Sequence, residues 1–187
     1  DREYFQHAVQ GEAWISTPTI SKITGELSIM VAAPLWRGGI SGGTVEGVVY
    51  FVPHETFLND IMSAIHVSEN GGAYMIDTTG MTIADIALET VAVQNIEEEA
   101  QRDASLSKLA ALHADMRGGN SGYGQYRIDG VSKYLAYAPV DGTNNWSIAI
   151  TAPTSDFLGT TYLVTGVIGV ILVVILVLAA VLSIRMA

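Results

Sequence analysis

GYGQYRIDGVSKYLAYAPVDGTNNWSIAITAP, at residues 122–153, is the stretch that decides the fold of this chain. Its β-branched and aromatic residues are interrupted by two sets of turn-forming residues, so it predicts three consecutive strands, at 123–128, 133–137 and 146–151. Asp129-Gly130 separates the first two strands and is a type I′ hairpin signal, because both residues accept a positive φ. The stretch therefore predicts a small antiparallel sheet.

The residues before this stretch predict the rest of the same unit. Residues 73–76 and 81–84 are short apolar runs around a turn at residues 77–80, which predicts a hairpin. Asn95 is a good helix N-cap, and Glu98 stands three positions later, at the N3 position of a capping box. One apolar stripe at helical spacing then follows, made by Leu106, Leu109, Ala110, His113 and Met116. The order strand, strand, helix, strand, strand, strand is an α+β pattern.

A unit that precedes this one in the chain shows part of the same order of strands and helices. Residues 27–34 and 45–52 read as two strands joined by the Gly-rich loop 37–43. Phe57, Leu58, Ile61, Met62 and Ile65 then recur at helical spacing, which predicts a short amphipathic helix. We expect this unit to lack its opening part.

An apolar segment stands near the C-terminal end. Residues 162–184 contain no charged side chain, and as a helix they would cover roughly 35 Å, enough for a hydrocarbon core of roughly 30 Å. This predicts a transmembrane helix, and Arg185 directly after it favours a cytoplasmic C-terminus. Only residues 152–161 separate it from the last predicted strand, so we expect a displacement of the sheet to reach the helix.

Composition narrows the function classes. The chain has 187 residues and a net charge of −10, and all nineteen acidic residues precede the apolar segment. No Lys/Arg cluster is present, which argues against nucleic acid as a partner. The absence of cysteine excludes disulfides and thiolate chemistry. The chain starts without Met or a signal peptide and stops three residues after the apolar segment, so we expect a fragment of a longer protein.

The sequence contains no pattern typical of a catalytic, cofactor or metal site. The four histidines lack the close spacing of metal ligands. The Gly-rich loop at residues 37–43 matches no phosphate-binding motif, and no serine lies in a nucleophile elbow. We therefore expect no enzyme activity, no cofactor and no metal ion.

Several segments resemble the double Cache domains of bacterial transmembrane receptors, especially chemoreceptors. REYF at residues 2–5 resembles the Arg-x-aromatic-aromatic segment of the membrane-distal ligand pocket, and EGVVY at residues 46–50 resembles a strand of that pocket. AYMIDTTGMTIA at residues 73–84 and the whole of residues 122–153 resemble strands of the membrane-proximal module. The resemblance extends over essentially the whole chain.

The resemblance implies an α+β fold of PAS-like Cache modules with central antiparallel sheets, followed by one transmembrane helix. Residues 1–68 would form the C-terminal part of the membrane-distal module. Residues 69–156 would form the membrane-proximal module, and residues 157–185 the transmembrane helix. A homodimer in the bacterial plasma membrane, with residues 1–160 outside the cytoplasm, is the arrangement that the family implies.

The resemblance also implies a ligand site in the distal module. Arg2 would hold a carboxylate through two parallel charge-assisted hydrogen bonds, with Tyr4 and Phe5 as apolar walls. The other predicted ligand-binding residues are Trp14, Thr19, Ser21, Tyr50 and Val52. The amino-acid-binding subset of the family carries Asp where Val52 stands, and Tyr and Asp in place of Thr19 and Ser21. The identity of the small-molecule ligand therefore stays open.

These features favour the external sensor of a methyl-accepting chemotaxis protein, which signals through its transmembrane helix. A membrane histidine kinase or a diguanylate cyclase would use the same external module. A membrane-anchored extracellular enzyme would need a cluster of catalytic side chains, which the sequence does not offer. A structural or adhesive surface protein would show a large exposed apolar patch in place of an enclosed pocket.

Overall fold

The structure is a computed structural model, and it describes residues 2–20, 27–54, 56–157 and 165–172. Within these ranges the α-helices whose two ends are described are α1 (Glu3–Val9), α2 (Phe57–Ala64), α3 (Ile96–Glu99) and α4 (Ser107–Arg117), and residues 154–157 and 165–172 are also helical. The strands are β1 (Trp14–Ile15), β2 (Thr19–Ile20), β3 (Leu27–Ser28), β4 (Val31–Trp36), β5 (Val45–Phe51), β6 (Gly72–Ile76), β7 (Thr82–Asp85), β8 (Gly122–Ile128), β9 (Val131–Pro139) and β10 (Ser147–Pro153). Single 3₁₀ turns lie at Arg37–Gly39, Leu88–Thr90 and Ala104–Leu106.

The second unit is built on a five-stranded antiparallel sheet with the order β7-β6-β10-β9-β8. This confirms the predicted antiparallel α+β sheet and its three closing strands. The turn between β8 and β9 places Asp129 at φ 50° and Gly130 at φ 78°. Both values are positive, as a type I′ turn requires, because that turn matches the right-handed twist of the two strands.

The two faces of this sheet are covered by different elements. One face packs against α2, with Leu58 and Met62 beside Met75 in a common core. The opposite face packs against α4, whose Leu109 and Met116 are buried against the sheet. The alternation of side chains along each strand explains this division, since successive residues point to opposite faces.

The first unit contains a three-stranded antiparallel sheet, β1-β4-β5, and a separate β2-β3 pair. The sequence predicted one strand at residues 27–34, but the structure divides this run between β3 and β4. Met30 explains the break, because its N–H donates to the Ser16 Oγ at 2.9 Å and its carbonyl accepts from the Ser16 N–H at 2.8 Å. Ile29 is thereby turned into the core.

The two units share one core. Ile29 from the first unit is buried in the same cluster as Trp146 and Met75 of the second unit. The Asn144 side-chain amide also donates a hydrogen bond to the carbonyl of Ile15. These contacts join the residues around β1 to the turn between β9 and β10.

The predicted transmembrane helix falls largely outside the described residues. Of the predicted range 157–185, the structure describes only residue 157 and residues 165–172, and all of these are helical. Among the described residues, no helix combines the length and the apolar character needed to cross a membrane.

Candidate ligand-binding cleft

A cleft of about 390 Å³ lies beside the first turn of α1. Most of its lining comes from α1 and from the chain between β1 and β3. Two turns of the five-stranded sheet complete it, the β6–β7 turn through Thr78 and the β9–β10 turn through Asn144. The lining residues are Arg2, Glu3, Tyr4, Trp14, Ser16, Thr17, Thr19, Met30, Thr78 and Asn144.

The start of α1 holds Arg2 and Tyr4 at this cleft. Arg2 is the N-cap residue in an extended conformation, and its carbonyl accepts from the N–H groups of Phe5 at 3.0 Å and Gln6 at 3.1 Å. Ala8 is fully buried where α1 packs against β4 and β5. Gly11 follows at φ 95°, where an added Cβ would lie 2.7 Å from the Trp36 ring. The helix is therefore held closely against the three-stranded sheet.

Arg2 offers a cation to a ligand in the cleft. Its side chain is exposed, and no ion pair of Arg2 is found among the described residues. Glu3 is the other charged residue of the lining. A guanidinium without a carboxylate partner can form two parallel hydrogen bonds with a ligand carboxylate.

Two aromatic pairs shape the cleft. The rings of Tyr4 and Tyr50 lie 5.7 Å apart between centroids at 45°, which joins α1 to β5. The Trp14 ring stacks on His7 at 3.5 Å and 4°, and the His7 Nδ1 lies 2.7 Å from a carboxylate oxygen of Glu12. Trp14 is therefore held in one orientation by its neighbours, as a preorganised pocket wall requires.

The structure brings four of the eight predicted ligand-binding residues into this cleft: Arg2, Tyr4, Trp14 and Thr19. Tyr50 is linked to them through the Tyr4 ring. Phe5 and Val52 do not line the cleft, and both side chains are exposed. Ser21 lies outside the described residues. The binding role of each of the eight stays a prediction.

Sequence reasoning did not identify the contribution of the five-stranded sheet to the cleft. Thr78 lies in a turn that the Asp77 carboxylate fixes, since its Oδ1 accepts from the Thr79 N–H at 2.8 Å and the Met81 N–H at 3.1 Å. Asn144 is held by its bond to Ile15. In the sequence both residues look only like members of turns, because the packing of the two units determines which turn meets α1.

The lining defines the chemistry that the cleft can perform. Hydroxyl groups of Ser16, Thr17, Thr19 and Thr78 and the amide of Asn144 accompany the guanidinium of Arg2. These groups donate and accept hydrogen bonds, while Tyr4 and Trp14 supply apolar surface. Among the described residues, no group of His, Asp and Glu side chains could hold a metal ion. The arrangement suits reversible binding of a small polar ligand.

Comparison with solved structures finds the same fold in several receptor domains. The ligand-binding domain of the Pseudomonas fluorescens chemoreceptor CtaA, solved with L-isoleucine, has a TM-score of 0.59 and 17% identity, over 85% of this chain and 60% of that one. The ligand-binding domain of the Pseudomonas aeruginosa PAO1 chemoreceptor PctB, solved with L-Arg, has a TM-score of 0.56 and 20% identity, over 88% of this chain and 60% of that one. The extracellular domain of mmHK1S-Z2, assigned as a histidine kinase, has a TM-score of 0.58 and 18% identity, over 84% of this chain and 57% of that one.

The chain thus spans about 60% of the length of each of these solved domains. No curated protein sequence matches it. A family model does match, the dCache_1 model described as Cache domain, over residues 1–161. This confirms the resemblance expected from the sequence, and the chain belongs to the dCache_1 family of Cache domains.

Proposed function

We propose that this chain is the extracytoplasmic ligand-sensing part of a bacterial chemoreceptor. Cache domains of this kind are the external sensor domains of membrane receptors, and the chemoreceptor domains of CtaA and PctB share the fold. The observation that carries the proposal is the convergence of Arg2, Tyr4 and Trp14 on one cleft. A guanidinium that has no ion-pair partner among the described residues, in a cleft also lined by aromatic side chains, suits a ligand carboxylate.

The proposed ligand is a small molecule with a carboxylate, and amino acids are the leading class. Three properties of the cleft support this choice. Its volume of about 390 Å³ falls in the usual range of ligand pockets. Arg2 is the one cation among its described lining residues, and several of those residues carry hydroxyl groups. Glu3 and the side-chain oxygen of Asn144 are acceptors that an ammonium group could use. The solved domains of CtaA and PctB each contain an amino acid.

In the proposed arrangement, residues 1–160 lie outside the bacterial plasma membrane. Residues 157–185 form a helix that starts at the membrane surface and crosses the membrane. The receptor is a homodimer. The run of uncharged residues at 162–184 supports the helix. The contact of Asp156 with Asn70 supports tight coupling, because it ties the residues just after β10 to the residues just before β6. Little slack then separates the sheet from the membrane helix.

Signalling would follow from a population shift. A ligand that contacts α1 and the turns at Thr78 and Asn144 can draw the two units together, because the cleft is lined by both. The ligand biases the receptor only by its difference in affinity for the two arrangements of the units. The shift would then pass along β6 and β10 to Asp156.

A second candidate is the sensor domain of a membrane histidine kinase, and a diguanylate cyclase would use the same external module. The similarity to mmHK1S-Z2 supports the kinase as this second candidate. Its TM-score of 0.58 differs by no more than 0.02 from the TM-scores of the CtaA and PctB domains. The output domain that follows the membrane helix distinguishes these receptors.

The test is ligand binding to the full chain purified in detergent micelles. A panel of the twenty common amino acids and of small carboxylates is screened by thermal shift, and each hit is titrated by isothermal calorimetry. We expect Arg2→Ala to weaken the binding of a hit at least tenfold, because it removes the cation that pairs with the carboxylate.

Arg102→Ala is the matched control, since Arg102 is exposed, lies outside the cleft, and its side chain makes no hydrogen bond among the described residues. It should bind the hit as tightly as the unaltered chain. Equal affinity of Arg2→Ala and Arg102→Ala would show that Arg2 does not hold the ligand, and the assignment of the cleft would be wrong.

A further inference from the structure

One end of the five-stranded sheet exposes a group of apolar side chains. β10 ends there and β6 begins there, because Thr151 pairs with Gly72. The β8–β9 turn lies at the same end, because Pro153, the last residue of β10, pairs with Lys133 near that turn. The apolar side chains, each 42–52% exposed, are Val67, Ile86, Val131, Tyr134 and Phe157. They surround the point at which the chain leaves the sheet in the direction of residues 162–184.

These side chains lie on both sides of the central strand β10. A Cβ added at Gly71 would lie 3.1 Å from a methyl carbon of Val67, and one added at Gly72 would lie 3.4 Å from the Ile86 Cδ1, so both side chains stand beside the start of β6. Val131 begins β9 directly after the β8–β9 turn. β6 and β9 are the two neighbours of β10.

Tyr134 and Phe157 form an aromatic pair at this end. Their rings meet edge to face, with centroids 6.3 Å apart at 60°. The Thr154 Oγ1 donates to the Ser132 carbonyl at 3.2 Å, so the helical residues 154–157 are held against β9. The pair is therefore fixed in place by the fold, and about half of each ring faces outward.

Arg127 adds a cation beside Tyr134. Arg127 pairs with Ser132, which lies two residues before Tyr134, so the three side chains point to the same face of the sheet. The Arg127 Nε donates to the Gly130 carbonyl at 3.0 Å, and no ion pair of Arg127 is found among the described residues. Asp129 in the turn is the one acidic residue of β8, β9 and their turn. A guanidinium next to two exposed rings can bind an anionic oxygen while the rings enter an apolar layer.

The uncharged run at residues 162–184 lies close to this surface along the chain. Phe157 stands five positions before Tyr162, the first residue of that run, and a chain of five residues spans at most about 18 Å. The headgroup layer on each side of a bilayer is itself about 5–8 Å deep. A bilayer crossed by the run is therefore within reach of Phe157 and of Tyr134 beside it.

We propose that the β8–β9 hairpin and Phe157 rest on the phospholipid headgroup layer of the membrane. The rings of Tyr134 and Phe157 enter the water–lipid interface, where aromatic side chains are enriched in membrane proteins, and the Arg127 guanidinium binds phosphate oxygens. This contact depends on the membrane helix of the proposed function and adds a second attachment to the bilayer. It would fix the tilt of the sheet against the membrane surface.

A second copy of the chain is a less suitable occupant of this surface. In a dimer with twofold symmetry the same patch of both copies meets, so the Arg127 side chains of the two copies would approach each other. Their like charges would repel, whereas phosphate groups of a lipid layer attract both. The membrane is therefore the occupant that the charge of the surface favours.

The experiment measures whether the turn end of the hairpin touches lipid. The chain has no cysteine, so a single introduced cysteine can carry a nitroxide spin label. Val131→Cys places the label at the turn end, and Tyr123→Cys places it near the opposite end of β8, at a side chain that is 86% exposed. The full chain is placed in nanodiscs of phosphatidylcholine and phosphatidylglycerol.

Power-saturation EPR compares how often each label collides with oxygen, which concentrates in lipid, and with a nickel chelate, which stays in water. We expect the ratio of oxygen to nickel collisions to be at least about threefold higher for the label at residue 131 than for the label at residue 123, because only the former lies at the interface.

Variants of the Val131→Cys chain then test the contact residues. Phe157→Ser and Tyr134→Ser each remove one ring, and Arg127→Gln removes the cation, so each should lower the ratio toward the value at residue 123. Arg102→Gln is the matched control, because it removes an exposed cation outside this surface and should leave the ratio unchanged. Melting curves check that each variant folds, and Tyr134→Leu replaces Tyr134→Ser if the latter does not.

The outcomes separate this contact from the rest of the proposed function. Equal ratios at residues 131 and 123 in nanodiscs that hold the chain would overturn the contact alone. So would a ratio that all three contact variants leave unchanged, and so would spin–spin broadening at residue 131, which would assign the surface to a second copy. Failure of the chain to co-purify with the nanodiscs would contradict the membrane helix itself, and the contact would fall with it.

Discussion

The Oδ2 atom of Asp156 lies 2.9 Å from the backbone nitrogen of Asn70, and Oδ1 lies 3.1 Å from the Asn70 side-chain nitrogen. Asp156 comes three residues after β10, and Asn70 comes two residues before β6. β6 and β10 are neighbours in the sheet. The contact therefore ties the residues just after β10 to the residues just before β6, and we expect a movement of β6 to displace Asp156.

Asp156→Asn should lower the melting temperature at neutral pH. The Ser68 hydroxyl nearby and the donors of Asn70 lower the pKa of Asp156, which means that the folded state favours the charged carboxylate. The stabilisation is present above the unfolded pKa of about 4 and is lost as pH falls through the lower folded value. The measurement is thermal unfolding of both proteins at pH 7 and at pH 3.

The difference between the two proteins should be present at pH 7 and shrink at pH 3. Asp141→Asn is the control, since Asp141 lies in an exposed turn and its side chain makes no hydrogen bond among the described residues. An equal loss of melting temperature in both variants at pH 7 would show that the contact with Asn70 contributes nothing specific.

His113 should make the unfolding free energy depend on pH between about 6.5 and 4. Burial lowers its pKa to about 4, while the unfolded side chain titrates near 6.5. Below 6.5 the unfolded state binds more protons than the folded state, so stability falls as pH falls, by at most about 3 kcal/mol over this interval. Urea denaturation across the interval measures the slope.

His113→Gln should reduce this slope, because glutamine does not titrate. His66→Gln should leave it unchanged, since His66 is exposed. If both variants kept the slope of the unaltered chain, the pH dependence would have to come from other groups, and burial of a neutral His113 would be wrong.

Gly122→Ala should destabilise the fold by about 1–3 kcal/mol through overpacking. A Cβ at this position would lie 2.5 Å from the Tyr137 hydroxyl oxygen and 2.8 Å from the carbon that bears it. The ring cannot easily move away, because its hydroxyl donates a hydrogen bond to the Asp115 carboxylate. Denaturant unfolding gives the change in free energy.

Gly47→Ala is the matched control, because Gly47 also lies in a strand and an added Cβ would meet only Leu35 at 3.6 Å. It should change the unfolding free energy by less than about 0.5 kcal/mol. Equal effects of the two substitutions would mean that loss of a strand glycine, and not contact with Tyr137, determines the cost.

Ile29→Ala should cost about 2–5 kcal/mol, the usual range for truncating a buried isoleucine. Ile29 is 1% exposed and belongs to the cluster that contains Trp146, the residue just before β10. The loss should therefore appear in the tryptophan fluorescence transition of the whole chain under denaturant. Ile40→Ala makes the same change at a side chain that is 70% exposed and should cost under about 0.5 kcal/mol.

A cost for Ile29→Ala as small as that for Ile40→Ala would show that the two units do not share a core. The coupling of the Arg2 cleft to the sheet would then lose its physical basis, because the cleft is lined by residues of both units.

Local pattern was enough to predict the elements of the five-stranded sheet. The turn residues Asp129 and Gly130 specify their hairpin through their own backbone preferences. Asn95 was predicted as an N-cap, and its side chain accepts from the N–H groups of Glu97 and Glu98 at 3.1 and 3.3 Å. The helical stripe through Leu109, His113 and Met116 was also confirmed as the buried face of α4.

Tertiary structure alone decided which of these elements meet. Thr78 and Asn144 reach the cleft of Arg2 only because Ile29 and Trp146 pack the two units into one core. The pairing of Tyr74 with His113 likewise depends on where α4 crosses the sheet. The sequence by itself determined the strands, turns and helices, since backbone preference and side-chain periodicity act over a few residues. Only the fold decided the cleft and the Tyr74–His113 pair, because packing joins residues that are far apart along the chain.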